Sequence, residues 1–410
     1  MYLSKEKKLE YIDKTIAVCL MGLVIILPIA HTTTIRALLL WIPVFFWIVK
    51  MIIERRWGLK RTPFEIPMFI FFITILISFF TSLKLITSTS ELRGEFLTYT
   101  TLFYLVTNNV KKEKYIQNFV SILFLGSLIM AVYAIVDYLI HSDSIFSMSY
   151  RTGSLHQGFG AYAQYIIMVI PFNILAFFYR KDLAGKAILF FLILLNCSAL
   201  YLTHTRGAWI ALYVEVLLVV IITFKGHIKR WGTVAFMIIA VLIAVLILPE
   251  SVVWHGAKGV DPNAVTARNT VETRMIVWEN TVNEFVKEPF KPAGYGKVNF
   301  QRRFPDAGFE QAHNTFINTA VQLGIQGLIA LLIIIYAILK MSWSIWKRGE
   351  TELQRNFALS VFIMTAGFFT ANQFAEFYID DTALLFWLFV GICTSIYTQN
   401  LLILSNDKEV

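Results

Sequence analysis

The chain has 410 residues, 57% of them hydrophobic and 15% charged, with a formal net charge of +9. Soluble domains carry about 25% charged residues, so this composition excludes an ordinary globular enzyme and points to a polytopic membrane protein. The excess positive charge gathers on one side of the apolar spans and no helix-turn-helix, zinc-finger or RNA-binding pattern is present, which excludes nucleic acid as a partner.

A helix crosses the hydrocarbon core with roughly 20 apolar residues. By that measure about twelve spans follow one another, at residues 15–30, 35–53, 64–83, 94–110, 115–140, 160–179, 186–205, 207–224, 232–248, 313–340, 355–375 and 382–404. They predict one all-α integral membrane domain over residues 1–410. The first span has the basic flank of a signal peptide but no small-x-small cleavage pattern, so it is read as retained. The fourth is diluted by Thr98, Thr100, Thr101 and Asn108. Cys19, Cys197 and Cys393 all fall inside spans, as packing residues without a disulfide framework. No internal repeat is present, which argues against an inverted-repeat transporter.

Lysines and arginines cluster in the N-terminal tail and after every second span, as at Lys50, Arg55, Arg56, Lys60 and Arg61 or Lys340, Lys347 and Arg348. The positive-inside rule makes that side cytoplasmic, with both termini on it. The opposite side holds short loops at residues 31–34, 84–95, 141–159 and 376–381, and one long loop at 249–312 between spans nine and ten. Inside the long loop Val271, Met275, Trp278, Val282 and Phe285 recur at helical spacing, predicting an amphipathic helix with Asn269 as its N-cap. It ends at Glu288-Pro289 and is followed by the turn Pro292-Ala293-Gly294-Tyr295-Gly296. This helix is expected to lie as a lid over a cavity between spans.

The residues able to do chemistry gather on that outer side. His313-Asn314 begins span ten, with Gly324 and Gly327 further along it, a small-x-x-small spacing that lets a neighbouring helix approach. At a helix N-terminus the imidazolium is disfavoured, and a neutral imidazole can accept a proton from a hydroxyl. The residues alone leave two readings of His313 open, a base and an interfacial helix cap. Thr205-Arg206-Gly207-Ala208-Trp209 forms the outer turn between spans seven and eight, where a guanidinium calls for an anionic partner such as phosphate, or else snorkels to headgroups. Arg274 lies on the loop helix, one turn before Trp278. Arg151 and His156 lie in a polar, glycine-containing loop before span six, either at the mouth of a site or in a plain connection. Glu376 and the pair Asp380-Asp381 precede the last span, where they read as a metal pair or as a helix cap. Asp137 and Glu215 lie in or near spans and call for polar partners inside the bundle.

These elements, in this order, resemble the O-antigen ligase superfamily of bacterial envelope glycosyltransferases. The resemblance rests on His313-Asn314 with Gly324 and Gly327, on Thr205 to Trp209, and on Arg274 and Trp278 through Glu288-Pro289 to Gly294-Tyr295-Gly296. It implies a GT-C-like enzyme of the inner membrane whose donor is a glycan on undecaprenyl pyrophosphate. It further implies transfer at the periplasmic face with inversion, without a metal ion or other cofactor. Arg206 and Arg274 then match the arginines that hold the pyrophosphate, and His313 matches the catalytic histidine beside the acceptor. Asn314, Arg151, His156 and Glu376 stand as supporting residues. The Thr-Arg-Gly-Ala-Trp form and the Asn372…Glu376 stretch resemble the ligase branch, whose acceptor is lipid A–core. O-antigen polymerase and protein O-oligosaccharyltransferase are the alternatives within the superfamily, and a lipid-linked glycan transporter is the alternative outside it. Polar groups gathered at one face, instead of along a path, favour the enzyme.

Overall fold

In hydrocarbon every backbone polar group has to bond within its own segment, so long apolar runs fold as helices. The computed structural model describes residues 4–55, 59–142, 150–156, 158–224, 226, 231–233, 237, 271–303, 311–374 and 380–406. Among them the chain runs α1 (Lys5–Ile26), α2 (Thr33–Glu54), α3 (Glu65–Ser78), α4 (Leu85–Leu92), α5 (Thr98–Asn109), α6 (Glu113–His141), α7 (Phe159–Tyr179), α8 (Leu183–Leu202) and α9 (Arg206–Thr223). After the long loop's first part come α10 (Val271–Lys287), α11 (Lys297–Arg303), α12 (Thr315–Arg348), α13 (Glu352–Ala371) and α14 (Asp380–Asn406).

Seven of these helices, α2, α6, α7, α8, α9, α12 and α14, are long and apolar enough to cross a membrane, and Glu65–Thr81 is a shorter apolar helix. The protein is therefore a multi-pass, all-helical membrane protein. The span expected at 232–248 lies almost wholly outside the described residues, and Asn269 and the start of the long loop lie outside them too.

Burial separates a central layer from a perimeter. In the apolar window of α14, 94% of residues are buried, against 22% in α2 and in α8. The centre is aromatic: Phe368 of α13 stacks on Phe386 of α14 at 4.9 Å between centroids, and Phe172 of α7 meets Phe389 of α14 at the same 4.9 Å. The perimeter helices expose Phe45, Ile52, Leu139 and Phe191, an apolar surface suited to lipid and not to water.

One expected loop is helical. Residues 84–95 form α4 and enter a π-helical turn, Arg93–Leu97, that continues into α5. The polar face of α4 is satisfied by a distant turn: Ser88 Oγ donates to Tyr295 O at 2.6 Å and Tyr295 Oη donates to Glu95 Oε2 at 2.7 Å. That tertiary pairing is invisible in the local pattern, which shows only scattered serines and threonines.

Candidate active site

The C-terminus of α13 organises the outer end of the bundle. Helix ends leave carbonyls without helical partners, and here two of them are used across the fold. Asn372 O accepts from Thr315 N at 3.0 Å, joining the start of α12, and Phe374 O accepts from Arg274 Nη1 at 3.2 Å, joining α10. Asn314 Nδ2 donates to Gln373 Oε1 at 3.2 Å. The N-terminus of α9 comes in on the other side: a Cβ on Gly207 would stand 2.8 Å from Phe374 Cδ2. Trp278 faces the same ring at 6.2 Å. The turn Asn372–Phe374 thus gathers Arg206, Arg274 and His313 from segments far apart in sequence. Its sequence signal was modest, three residues with two amides closing an apolar run.

Three guanidiniums converge. Arg206 opens α9, directly after Thr205 as the residue preceding the helix. Arg151 donates from Nε to Thr203 O at 3.1 Å and from Nη2 to His204 O at 2.7 Å, and lies over the Phe159 ring at 3.7 Å. Burial first, and then the charges of Arg206 and Arg274, pull Arg151 down to about 10, well below the usual guanidinium value. Burial and Arg206 likewise pull Arg274 down. Even so, Arg151 and Arg274 keep their charge at neutral pH. Guanidiniums brought this close repel one another, and their planar forks have the geometry to bond phosphate oxygens.

His313 sits outside the helix it introduces. The helix cap is Asn314, whose Oδ1 accepts from Phe316 N at 2.9 Å and Ile317 N at 3.1 Å. The capping reading of His313 is thereby displaced by its neighbour, a residue type that caps well. His313 has φ +49°, in the left-handed region that non-glycine residues avoid. Flanking bonds hold it there: Ala312 N donates to Asn318 Oδ1 at 2.8 Å, and Ala312 O accepts from Trp278 Nε1 at 2.7 Å. Burial, then Arg274, then Lys297 hold its imidazole near pKa 4, so it is neutral at physiological pH. Lys297, at the start of α11, was not anticipated as a neighbour of the histidine.

The glycines of α12 act differently from the expected helix-packing pair. Gly324 has φ +76° and breaks the helix. In an unbroken helix Val321 O would accept from Ile325 N. Here Ala293 N donates to Val321 O at 2.8 Å, Gly294 N to Gln322 O at 3.2 Å, and Ile325 N donates to Pro289 O at 2.9 Å. The turn 289–296 is inserted into the helix ladder, satisfying the backbone groups that the break releases. Gly327 faces Leu323 across the break instead of a neighbouring helix.

The lid helix α10 buries a face rotated from the predicted stripe, the two sharing Trp278 and Phe285. Val277 and Thr281 are buried and Trp278 and Phe285 half-buried, while Met275 is 60% exposed. The buried face packs with Ala293, Phe300, Ala312 and Val321, so α10 roofs the first turns of α12.

The other expected residues go elsewhere. His156 turns to Asp381, with Nε2 3.9 Å from Oδ2, and burial and Arg36 hold it near pKa 4. Asp381 pairs with Arg36 of α2, whose Nη2 also donates to Ile29 O at 2.5 Å. That ion pair answers the question of the adjacent acids for Asp381: it ties α2 to α14. Asp137 accepts from Tyr150 Oη at 2.9 Å and Thr152 Oγ1 at 2.7 Å, bracing the loop that carries Arg151. Glu215 is fully buried against Gly367, and neither carboxyl oxygen has a hydrogen-bond partner among the described residues, contrary to the expected polar partner. Glu376 lies outside the described residues.

A family profile described as O-Antigen ligase matches residues 189–332. Over that stretch, about a third of its length, the chain is similar to the O-antigen ligase family. The match contains Arg206, Arg274, Lys297, His313 and the break at Gly324, and leaves Arg151 and the Asn372–Phe374 turn outside it. Members of this superfamily are membrane glycosyltransferase-like enzymes. No curated protein matches the chain.

Proposed function

We propose that the protein is an O-antigen ligase that transfers a glycan from undecaprenyl pyrophosphate to a hydroxyl of lipid A–core at the periplasmic face of the inner membrane. The observation that carries this reading is the convergence of Arg151, Arg206 and Arg274 beside a neutral His313. The arginines bind the pyrophosphate and stabilise the charge that develops on it as the glycosidic bond breaks. The acceptor oxygen attacks the anomeric carbon from the opposite face, the electron pair of the breaking C–O bond leaves on the pyrophosphate, and the hydroxyl proton passes to His313. One displacement inverts the anomeric configuration. The reading assigns no metal and no other cofactor, because fixed guanidiniums supply the positive charge.

Depression of His313 to about 4, by burial first and then by Arg274 and Lys297, suits the resting site. A bound pyrophosphate offsets those charges and makes the imidazole more basic at the moment a proton has to be taken. Arg151 joins the donor site in this account, and His156 belongs to the Arg36–Asp381 scaffold.

Purified protein in nanodiscs, given undecaprenyl-pyrophosphate-linked glycan and lipid A–core, tests the reading. Glycan appearing on lipid A–core supports it. Extension of glycan on the carrier alone would make the protein a polymerase, and transfer to a serine- or threonine-containing peptide would make it a protein glycosylating enzyme.

A further inference from the structure

The lid helix α10 carries a second apolar stripe, turned away from the bundle. Met275, Val282 and Val286 lie seven and four residues apart, within about 40° of one another around the helix axis. All three are exposed, Val286 by 65%, and the stripe runs on into Phe290, exposed by 76%. The adjacent face of α10 is the one in contact with the bundle, through Val277, Trp278 and Phe285 in one cluster with Val321 of α12. Single apolar residues at a surface are ordinary, but four in one line mark a surface that something covers.

The course of α12 says what covers it. Its 34 residues extend about 50 Å, well beyond the roughly 30 Å hydrocarbon core, so part of the helix stands outside the core. Lys347 and Arg348 mark its inner end, and roughly 20 residues back from Lys347 lies Gly327. Burial gives the same level: Asn318 to Gly324 are buried, whereas Ile329, Ile333 and Tyr336 are exposed along one side, as on a lipid-facing helix. Phe290 sits at that boundary. Gln326 Nε2 donates to Phe290 O at 3.1 Å, and Ile325 N donates to Pro289 O at 2.9 Å. The exposed apolar side of α12 therefore continues through Phe290 into the stripe of α10.

We propose that Met275, Val282, Val286 and Phe290 insert into the outer leaflet of the bilayer, so that the lid is seated on the membrane by one face and on α12 by the other. A helix lying in the interface plane buries its apolar side about 5–10 Å into the boundary of headgroups and acyl chains. Arg274 precedes Met275, and its Nη1 donates to Phe374 O. The seat thus sets that guanidinium at headgroup depth, the depth of a phosphate carried on any membrane lipid. This goes beyond the glycosyl-transfer reading and does not depend on it.

Photocrosslinking in nanodiscs tests the proposal. Benzoylphenylalanine is placed singly at Val286, Phe290, Ile333 or Glu284 of the full chain, in discs of phosphatidylethanolamine and phosphatidylglycerol, and adduct masses are read after irradiation. All four positions are exposed, so the label displaces no core side chain. Ile333 reports lipid contact on a span, and Glu284 lies on the side of α10 opposite the stripe. Val286 and Phe290 are expected to give phospholipid adducts in yields like that at Ile333, and Glu284 none. Absence of phospholipid adducts at Val286 and Phe290, with Ile333 labelled, overturns the proposal. So does equal lipid labelling at Glu284 and Val286, which would leave the helix without an oriented seat. A covalent dimer formed from Val286 or Phe290 in place of lipid adducts overturns it too, and assigns the stripe to a second copy of the chain.

Discussion

Gly207 lies against the ring of Phe374, so close that a Cβ at 207 would stand 2.8 Å from Cδ2 and 2.9 Å from Cβ of the phenylalanine. Arg206 precedes that glycine, and Phe374 O holds Arg274. A single contact therefore sets the spacing of two of the three arginines.

Substituting Gly207 by valine forces the α9 and α13 termini apart. Overpacking of this kind costs about 1–3 kcal/mol. Gly207→Val is expected to lower the thermal midpoint and to weaken undecaprenyl pyrophosphate binding together, because Arg206 and Arg274 lose register. Phe374→Ala in the Gly207→Val background makes room and should restore part of the donor affinity. Calorimetry and a donor titration check both; unchanged donor affinity in Gly207→Val would remove the contact from the site.

The three arginines should contribute unequally to geometry but alike in charge. Each replacement by alanine is expected to weaken donor binding by about 2–3 kcal/mol, the loss of charge-assisted hydrogen bonds to a buried anion. Arg206→Lys and Arg274→Lys retain charge without the fork and should recover only part of it. Arg151→Ala is the informative case, because Arg151 also donates to Thr203 O and His204 O and so braces the turn before α9. A donor titration at two salt concentrations separates the roles: full donor affinity in Arg151→Ala would confine that residue to bracing the turn.

Much of this arrangement was legible in the sequence, and the failures have physical causes. Apolar runs marked the helices, and Pro289 marked the end of α10, which stops at Lys287. The cap at Asn314 was present in the residue type itself. The gathering turn at Asn372–Phe374 was not legible, because its partners Gly207, Arg274 and Thr315 are brought to it only by tertiary packing. The break at Gly324 was hidden because a glycine inside an apolar helix reads equally well as a packing residue; the insertion of Ala293 and Gly294 into the ladder decides it. The centre of the lid's buried face was misjudged: Val277 and Thr281 are buried and Met275 is not, and an apolar stripe on a half-polar helix has more than one plausible centre.

Acid should destabilise the fold through His156 and His313. His156 and His313 titrate near 4 in the folded protein, below the ordinary histidine value of 6.5. The unfolded chain therefore binds more protons between those values, so their contribution to stability is complete above about pH 6.5 and is lost as pH falls through 4. The thermal midpoint of wild type should drop across that window more steeply than that of His156→Gln. Equal slopes would mean that His156 is not held neutral beside Arg36.

The donor should raise the His313 pKa. Arg274 and Lys297 help to depress it, and a bound pyrophosphate offsets their charge. Histidine NMR on protein titrated with inorganic pyrophosphate is expected to move the His313 midpoint upward from about 4, while the His156 midpoint stays where Arg36 and burial set it. A stationary His313 midpoint with pyrophosphate bound would separate the histidine from the anion site.

The central claim is that the arginines hold the donor while His313 acts on the acceptor hydroxyl, and one variant tests it. On purified His313→Ala, donor binding and glycan transfer to lipid A–core are measured side by side. The account predicts undecaprenyl-pyrophosphate-glycan affinity close to wild type and transfer reduced by about 10²–10⁴-fold, the range for loss of a general base. Near-normal transfer, or loss of donor affinity in step with loss of transfer, would contradict it.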